Sequence, residues 1–146
     1  MSVNYRLVHV TPERLFEVLA DGWSYSTWVV GTSRIRAVSA NWPEPGAALH
    51  HSFGLWPLVI DDVTRSLAWE APRRLVLQAH GRAVGVAQVH IDVQPHARGC
   101  VVRMTEDATA GPARLIPRLV RDALGRARNR EALRRLAYRA EARTDG

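Results

Sequence analysis

Apolar positions recur at helical spacing between Pro112 and Arg143, which predicts the longest helix of the chain. Two apolar stripes follow one another along this helix, and their centres differ by about a quarter turn. The first stripe comprises Ile116, Leu119, Val120, Ala123 and Ala127, and the second comprises Leu133, Leu136, Ala137 and Ala140. We expect both stripes to be buried, with the weak helix formers Gly125 and Asn129 absorbing the offset as a bend.

Pro117 lies close to the start of this predicted helix. A proline has no N–H to donate, and its ring clashes with the carbonyl four residues earlier. The helix therefore either begins at Pro117 or is kinked in its first turn. We favour a kink, because Gly111 and Pro112 suit the cap and the first position of a longer helix.

Alternating and β-branched segments before the helix predict seven strands. The first strand, Val3–Val10, precedes a short helix at Pro12–Asp21 and an aromatic helical turn at Trp23–Trp28. The other strands are predicted at Ser33–Ala40, Ala47–Phe53, Leu58–Trp69, Arg74–His80, Val84–Val93 and Cys100–Ala108. Short turns between consecutive strands favour an antiparallel meander, because parallel neighbours need connections of a dozen or more residues. The order β-α-α-β-β-β-β-β-β-α predicts one α+β domain over residues 1–146.

Composition places the chain among ordinary globular proteins, with 47% hydrophobic and 23% charged residues in a length of 146. No segment approaches the ~20 apolar residues of a membrane span, so we expect no integral membrane association. The single cysteine, Cys100, excludes an internal disulfide framework. The N-terminal segment lacks the pattern of a signal peptide, so a cytoplasmic location is the default expectation.

The net charge of +6 is concentrated in the C-terminal helix. Its arginines collect on the side opposite the first apolar stripe, at Arg114, Arg118, Arg121, Arg128, Arg135, Arg139 and Arg143. We interpret this side as the face of an amphipathic helix that contacts solvent. The alternative interpretation is that it binds an anionic surface. We expect no nucleic-acid partner, because no aromatic residue interleaves with the arginines. The sequence leaves homodimerisation open.

A curved antiparallel sheet packed on one long helix is predicted to leave an apolar cavity where the two layers diverge. A resemblance to the START-like superfamily rests on the order of elements, the terminal helix and three segments, WSYSTWVVG, NWPEPGAALHHSFGLWPL and DDVTRSLAWEAPRRLVLQA. The chain is most similar to bacterial polyketide cyclase/dehydrase-like (SRPBCC) members over nearly its whole length. The resemblance implies a helix-grip fold, in which a seven-stranded sheet wraps a long C-terminal helix. It also implies binding of a hydrophobic small molecule, such as a lipid or an aromatic, polyketide-like metabolite, but no single chemistry.

Metal and cofactor sites are not indicated by the sequence. His50 and His51 are adjacent, so on a strand they face opposite sides and cannot share one ion. The glycines at positions 81 and 85 precede a strand rather than a helix, which is the wrong context for nucleotide phosphates. We therefore expect neither a metal nor a cofactor.

Polar residues that face the cavity are the best candidates for chemistry, because a buried polar group is costly unless it is paired or used. Strand alternation places His51 and Glu106 on the inner side. Val63 with Leu67 brings Asp61 and Arg65 there too, unless a bulge shifts the phase of the strand. The residues expected to bind the ligand are Trp28, His51, Phe53, Asp61, Arg65, Trp69, Val89, Met104, Glu106, Leu119 and Ala123.

Two functions stay open at this point. The leading hypothesis is a binding protein for a hydrophobic metabolite. The alternative is a cyclase or dehydratase that uses Glu106 and His51 as an acid–base pair with tuned pKa values. Against that alternative, Glu106 can simply pair with Arg65, and His51 can be a core histidine with satisfied hydrogen bonds.

Overall fold

A computed structural model of the chain describes residues 1–30, 32–53, 60–81 and 85–142, and within these ranges only the backbone is described for Ser33, Phe53, Ile60, Gly81 and Ala113. The seven strands are β1 (Ser2–Val8), β2 (Thr32–Val38), β3 (Ala48–Phe53), β4 (Ile60–Glu70), β5 (Arg74–Gly81), β6 (Gly85–His96) and β7 (Gly99–Ala110). The helices are α1 (Pro12–Ala20), α2 (Arg118–Ala142) and two short 3-10 helices at Gly22–Thr27 and Pro112–Leu115. The predicted start of the fourth strand at Leu58 lies outside the described residues.

All seven strands form one antiparallel sheet in the order β1-β7-β6-β5-β4-β3-β2. Strands β2 to β7 are therefore a meander, and β1 closes the far side by pairing with β7. In that last pair Ser2 lies opposite Glu106, and Val8 lies opposite Cys100. The α+β class, the seven strands and the long C-terminal helix predicted from the sequence are confirmed.

Helix α1 follows the capping pattern that its sequence predicts. The hydroxyl of Thr11 accepts a hydrogen bond from the Arg14 N–H at 3.2 Å, and Pro12 occupies the first helical position, where no N–H is needed. Leu15 and Leu19 are completely buried on its inner face. The inner face of α1 thereby becomes part of the hydrophobic core.

The chain before α2 is divided at Pro117, so the kink that we favoured is wrong. A 3-10 helix at Pro112–Leu115 ends before the proline, and α2 begins at Arg118. The Pro117 carbonyl accepts a hydrogen bond from the Arg121 N–H at 2.9 Å, which starts the helical ladder from the proline. Pro117 therefore precedes the first turn of α2, where its missing N–H costs nothing.

Burial along α2 differs between its two halves. Leu133, Leu136 and their neighbours in the second predicted stripe are buried, as expected. The first predicted stripe is at the surface, with Leu119 86% exposed. Gly125 faces β1 instead, and a Cβ there would lie 2.8 Å from the Ser2 hydroxyl oxygen. The absence of a side chain at Gly125 thus allows a close approach to β1 on the side of α2 opposite these apolar residues.

Candidate functional site

A cavity of about 370 Å³ lies between the inner face of the sheet, the 3-10 helix Gly22–Thr27 with the turn that follows it, and the first half of α2. Its wall is mostly apolar, with Trp28, Val29, Ile35, Leu77, Val89 and Met104 among the lining residues. Trp28 and Met104 are almost completely buried. This volume lies within the range of small-molecule sites, near its lower end.

A group of polar side chains interrupts the apolar wall on β3 and β4. His51 and Asp62 are directly opposite each other in the strand register, and both line the cavity. They are 7% and 8% exposed, respectively. Nε2 of His51 lies 2.9 Å from the hydroxyl oxygen of Thr64, which also lines the cavity. The sheet thus brings an imidazole, a carboxylate and a hydroxyl into one part of the wall.

Burial lowers the pKa of His51 below its ordinary value, and this is the largest effect on the group. The nearby carboxylate of Asp62 raises the pKa in opposition, while Arg36 and His50 lower it further. The neutral imidazole is therefore the favoured form at neutral pH, with one ring nitrogen donating and the other accepting. Among the described residues, Nδ1 of His51 has no hydrogen-bond partner although it is buried.

Two polar links connect the sheet with α2 in the wall of the same cavity. Glu106 on β7 forms an ion pair with Arg128 on α2. The side-chain amide of Asn129 donates a hydrogen bond to the Ser2 hydroxyl at 3.3 Å, and both residues are buried. These links fix the distance between the helix and the β1–β7 side of the sheet.

The described residues contain no group of three or more His, Cys, Asp or Glu side chains arranged to hold a metal ion. Within the same part of the chain, no helix combines the length and apolar character that crossing a bilayer requires.

Comparison with known proteins agrees with this architecture. Residues 3–141 match the family model described as polyketide cyclase / dehydrase and lipid transport. The chain belongs to this family. The START-like resemblance noted in the sequence is thereby confirmed, and the match covers nearly the whole chain. No curated protein sequence matches the chain.

Solved structures with the same fold have low sequence identity to this family member. Protein NE0264 from Nitrosomonas europaea has a TM-score of 0.75 at 14% identity, covering 99% of this chain and 96% of that one. Ara h 8.0201 has a TM-score of 0.73 at 12% identity, covering 96% of each chain. The di-domain ARO/CYC StfQ from the steffimycin biosynthetic pathway has a TM-score of 0.73 at 14% identity, and the match covers 99% of this chain and 51% of StfQ. At these identities the similarity shows the helix-grip fold alone.

Five of the predicted site residues lie in the wall of this family member's cavity, namely Trp28, His51, Val89, Met104 and Glu106. Trp69 is not among the lining residues and instead packs on Phe16, with ring centroids 5.1 Å apart. The side chain of Phe53 lies outside the described residues. Leu119 and Ala123 are exposed on the outside of α2, so their predicted place in the cavity is wrong. The reason is that this half of α2 places its Gly125 side against Ser2 of β1 and its apolar side outward.

The predicted inward orientation of Asp61 and Arg65 is also wrong, since both are exposed. Asp61 lies 3.4 Å from the Arg36 guanidinium and accepts a hydrogen bond from the Ser52 hydroxyl at 3.2 Å. A bulge explains the error, because Leu67 is an extra residue in β4 between Ser66 and Ala68. Leu67 is itself exposed, so its apolar side chain does not indicate which face of β4 points towards the cavity.

Sequence reasoning missed Asp62, Thr64 and Arg128. Asp62 could have been found from the β3–β4 register, because a residue opposite an inward His51 must also face inward. Thr64 is two residues further along β4 and therefore lies on the same face. Arg128 was assigned to the solvated side of the helix, but Arg121 and Arg128 both line the cavity. Glu106 accordingly pairs with Arg128 rather than with Arg65.

Proposed function

We propose that this chain binds a hydrophobic small molecule in the cavity between the sheet and α2, and that the ligand carries one polar group. The apolar wall supports the first part of the proposal, since transfer of apolar surface from water is the main driving force for such binding. The family description, which includes lipid transport, agrees with it at a coarse level.

The observation that carries the polar part is Nδ1 of His51, which is buried without a hydrogen-bond partner among the described residues. Nε1 of Trp28 is in the same situation, and both residues line the cavity. A buried polar atom without a partner is costly. A ligand hydroxyl or carbonyl within reach of either atom would supply the missing partner. The ligand class is therefore a compact apolar or aromatic molecule with one hydroxyl or carbonyl group.

Two probes with the same ring system separate the apolar and polar contributions. We expect 2-naphthol and naphthalene to bind by isothermal titration calorimetry, with 2-naphthol tighter by about ten-fold because of one additional hydrogen bond. Replacement of His51 by Ala should remove this preference and keep naphthalene binding. His50→Ala, on the neighbouring residue of β3 outside the cavity wall, is the matched control. The absence of binding by both probes would contradict the proposal.

Proton transfer is the second candidate function, and it is favoured by the same histidine. A neutral imidazole with a lowered pKa in an apolar cavity is suited to accept a proton from a carbon next to a carbonyl group. Glu106 is less suited than the sequence suggested, because its carboxylate is already paired with Arg128. His51 would accept the proton, leave an enolate on the substrate and return a proton to the same carbon.

Deuterium exchange at the α-carbons of 2-tetralone, followed by NMR in heavy water, tests this second function directly. A catalyst should accelerate exchange above the buffer rate, and His51→Gln should abolish the acceleration while 2-tetralone still binds. Exchange at the buffer rate in the presence of saturating wild-type protein would leave ligand binding as the only function proposed.

A further inference from the structure

The outer face of the segment that leads into α2 is apolar and uncovered. This outer face consists of Leu115, Ile116, Leu119, Val120 and Leu124. Leu115 and Leu119 are almost fully exposed, and Leu124 is 63% exposed. Val120 and Leu124 are four residues apart and are neighbours on the surface of α2, with Leu119 beside Val120 at the edge of the same outer face. A concentration of large apolar side chains on a surface marks a site of interaction with a partner or a membrane.

The same turns of α2 direct polar residues inward. Arg121, Asp122 and Gly125 line the cavity while the leucines face outward. A helix that only covered the sheet would have the opposite orientation, with its apolar stripe buried. The second half of α2 has that ordinary orientation, with Leu133 and Leu136 in the core. The outer face is therefore a local exception to the usual burial of the apolar side of an amphipathic helix.

Arginines border the outer face. Arg114 directly precedes Leu115 in the sequence and Arg118 directly precedes Leu119; the Arg118 side chain is 76% exposed and lies 3.7 Å from the Asp122 carboxylate. Arg126 and Arg130 continue the exposed positive charge along α2. Asp122 is the only acidic residue in the sequence from 111 to 130, and its side chain is 16% exposed. The surroundings of the apolar residues therefore carry a net positive charge, with Arg118 paired to Asp122 and Arg114, Arg126 and Arg130 adding exposed charge.

We propose that the outer face docks on an anionic lipid bilayer. Apolar side chains would enter the boundary between headgroups and acyl chains, and the arginines would contact the anionic headgroups, as in interfacial amphipathic helices. A second copy of the chain fits the face less well. Two-fold symmetry would bring these arginines against their own counterparts without an acidic surface to compensate them.

Docking would have a direct effect on the cavity, because one wall of the cavity and the outer face belong to the same turns of α2. A hydrophobic ligand could then pass between bilayer and cavity over a short distance. This consequence rests on the proposed ligand-binding function, whereas the docking itself does not.

Flotation with vesicles tests the docking. We expect the full chain to float with vesicles of three parts phosphatidylcholine to one part phosphatidylglycerol, and at least ten-fold less with phosphatidylcholine alone. The double variant Leu119→Glu/Leu124→Glu should lose at least ten-fold of the binding to anionic vesicles. Trp23→Glu/Tyr138→Glu is a control with the same charge change at exposed residues outside the outer face, and it should retain more than half of the binding.

Three outcomes would overturn the proposal. They are absence of wild-type flotation, an equal loss in both double variants, and a dimer in sedimentation velocity that only Leu119→Glu/Leu124→Glu dissociates. Binding of 2-naphthol without vesicles should be unchanged in Leu119→Glu/Leu124→Glu, which also shows that the variant is folded. Flotation without 2-naphthol binding would contradict the ligand-binding function alone, and 2-naphthol binding without flotation would contradict the docking alone.

Discussion

Glu106 and Arg128 form an ion pair that links β7 to α2 in the wall of the cavity. The carboxylate side chain is 16% exposed and the guanidinium 41%, so water screens part of the attraction. The pair holds the helix at a fixed distance from the sheet on the side where the cavity lies.

Replacement of Glu106 by Gln should lower the free energy of unfolding by about 0.2–1 kcal/mol, the usual contribution of a partly exposed ion pair. Urea denaturation measures this loss. Glu131→Gln is the control for the loss of a paired carboxylate elsewhere in the protein, because Glu131 pairs with Arg134 and Arg135 outside the cavity wall. If wild-type protein catalyses exchange of 2-tetralone, Glu106→Gln should change the rate by less than about two-fold. Complete loss of exchange would instead assign the acid–base role to Glu106.

His51 should make stability depend on pH. Burial lowers its pKa in the folded state below the ordinary value of about 6.5, so between these two values the unfolded chain binds more protons. The contribution of His51 to stability is therefore complete above pH ~6.5 and decreases as the pH falls towards the folded-state pKa. His51→Gln removes this dependence, so the stability difference between wild type and variant should shrink as the pH is lowered from about 7.5 to 5.

Urea titrations at several pH values measure this difference. A difference between wild type and His51→Gln that grows on acidification would contradict the assigned direction of the pKa shift.

Two leucines of α2 should respond differently to the same truncation. Leu136 is completely buried, so Leu136→Ala should cost about 2–5 kcal/mol of unfolding free energy. Leu119 is 86% exposed, and Leu119→Ala should stay within about 0.5 kcal/mol of wild type. Thermal or urea unfolding compares them directly. Equal destabilisation would mean that the first half of the helix packs against the sheet, contrary to the structure described above.

Cys100 should be unreactive in the folded protein. It is completely buried, and burial together with the nearby Glu13 carboxylate raises its pKa to about 11. At pH 8 roughly one thiol in a thousand is ionised, and the thiolate is the reactive form. Ellman's reagent should therefore react with the native protein no faster than the protein unfolds, and rapidly in 8 M urea. Fast labelling of the native protein would contradict the burial of β7 at this residue.

The sequence predicted the fold well because the fold depends on patterns that repeat over many residues. Alternation along the strands, short turns and one long periodic segment each specify an element, and together they leave few topologies. The capped start of α1 at Thr11 and the buried stripe around Leu136 follow the same local rules. In these regions local preference and tertiary packing agree.

The site was harder to predict because each error arose from a single residue that changes the phase. Leu67 is an extra residue in β4, and it exchanges the inward and outward positions before it, so Asp62 replaces Asp61 in the cavity wall. Gly125 lies close to Ser2, while Leu119 is on the outside of the helix. Neither effect is visible in hydrophobic periodicity, since the first depends on how β4 pairs with β5 and the second on how α2 packs on β1.

The pairing of β1 with β7 has a kinetic consequence. These strands are far apart in the sequence, with Ser2 opposite Glu106 and Val8 opposite Cys100, and β1 also contacts α2 through Asn129 and Gly125. Contacts of such long separation form slowly, because the entropy of closing the intervening loop is lost before the contacts are gained. The meander can assemble while the chain is still being synthesised, but the chamber that would hold a ligand exists only after the final helix has joined the first strand.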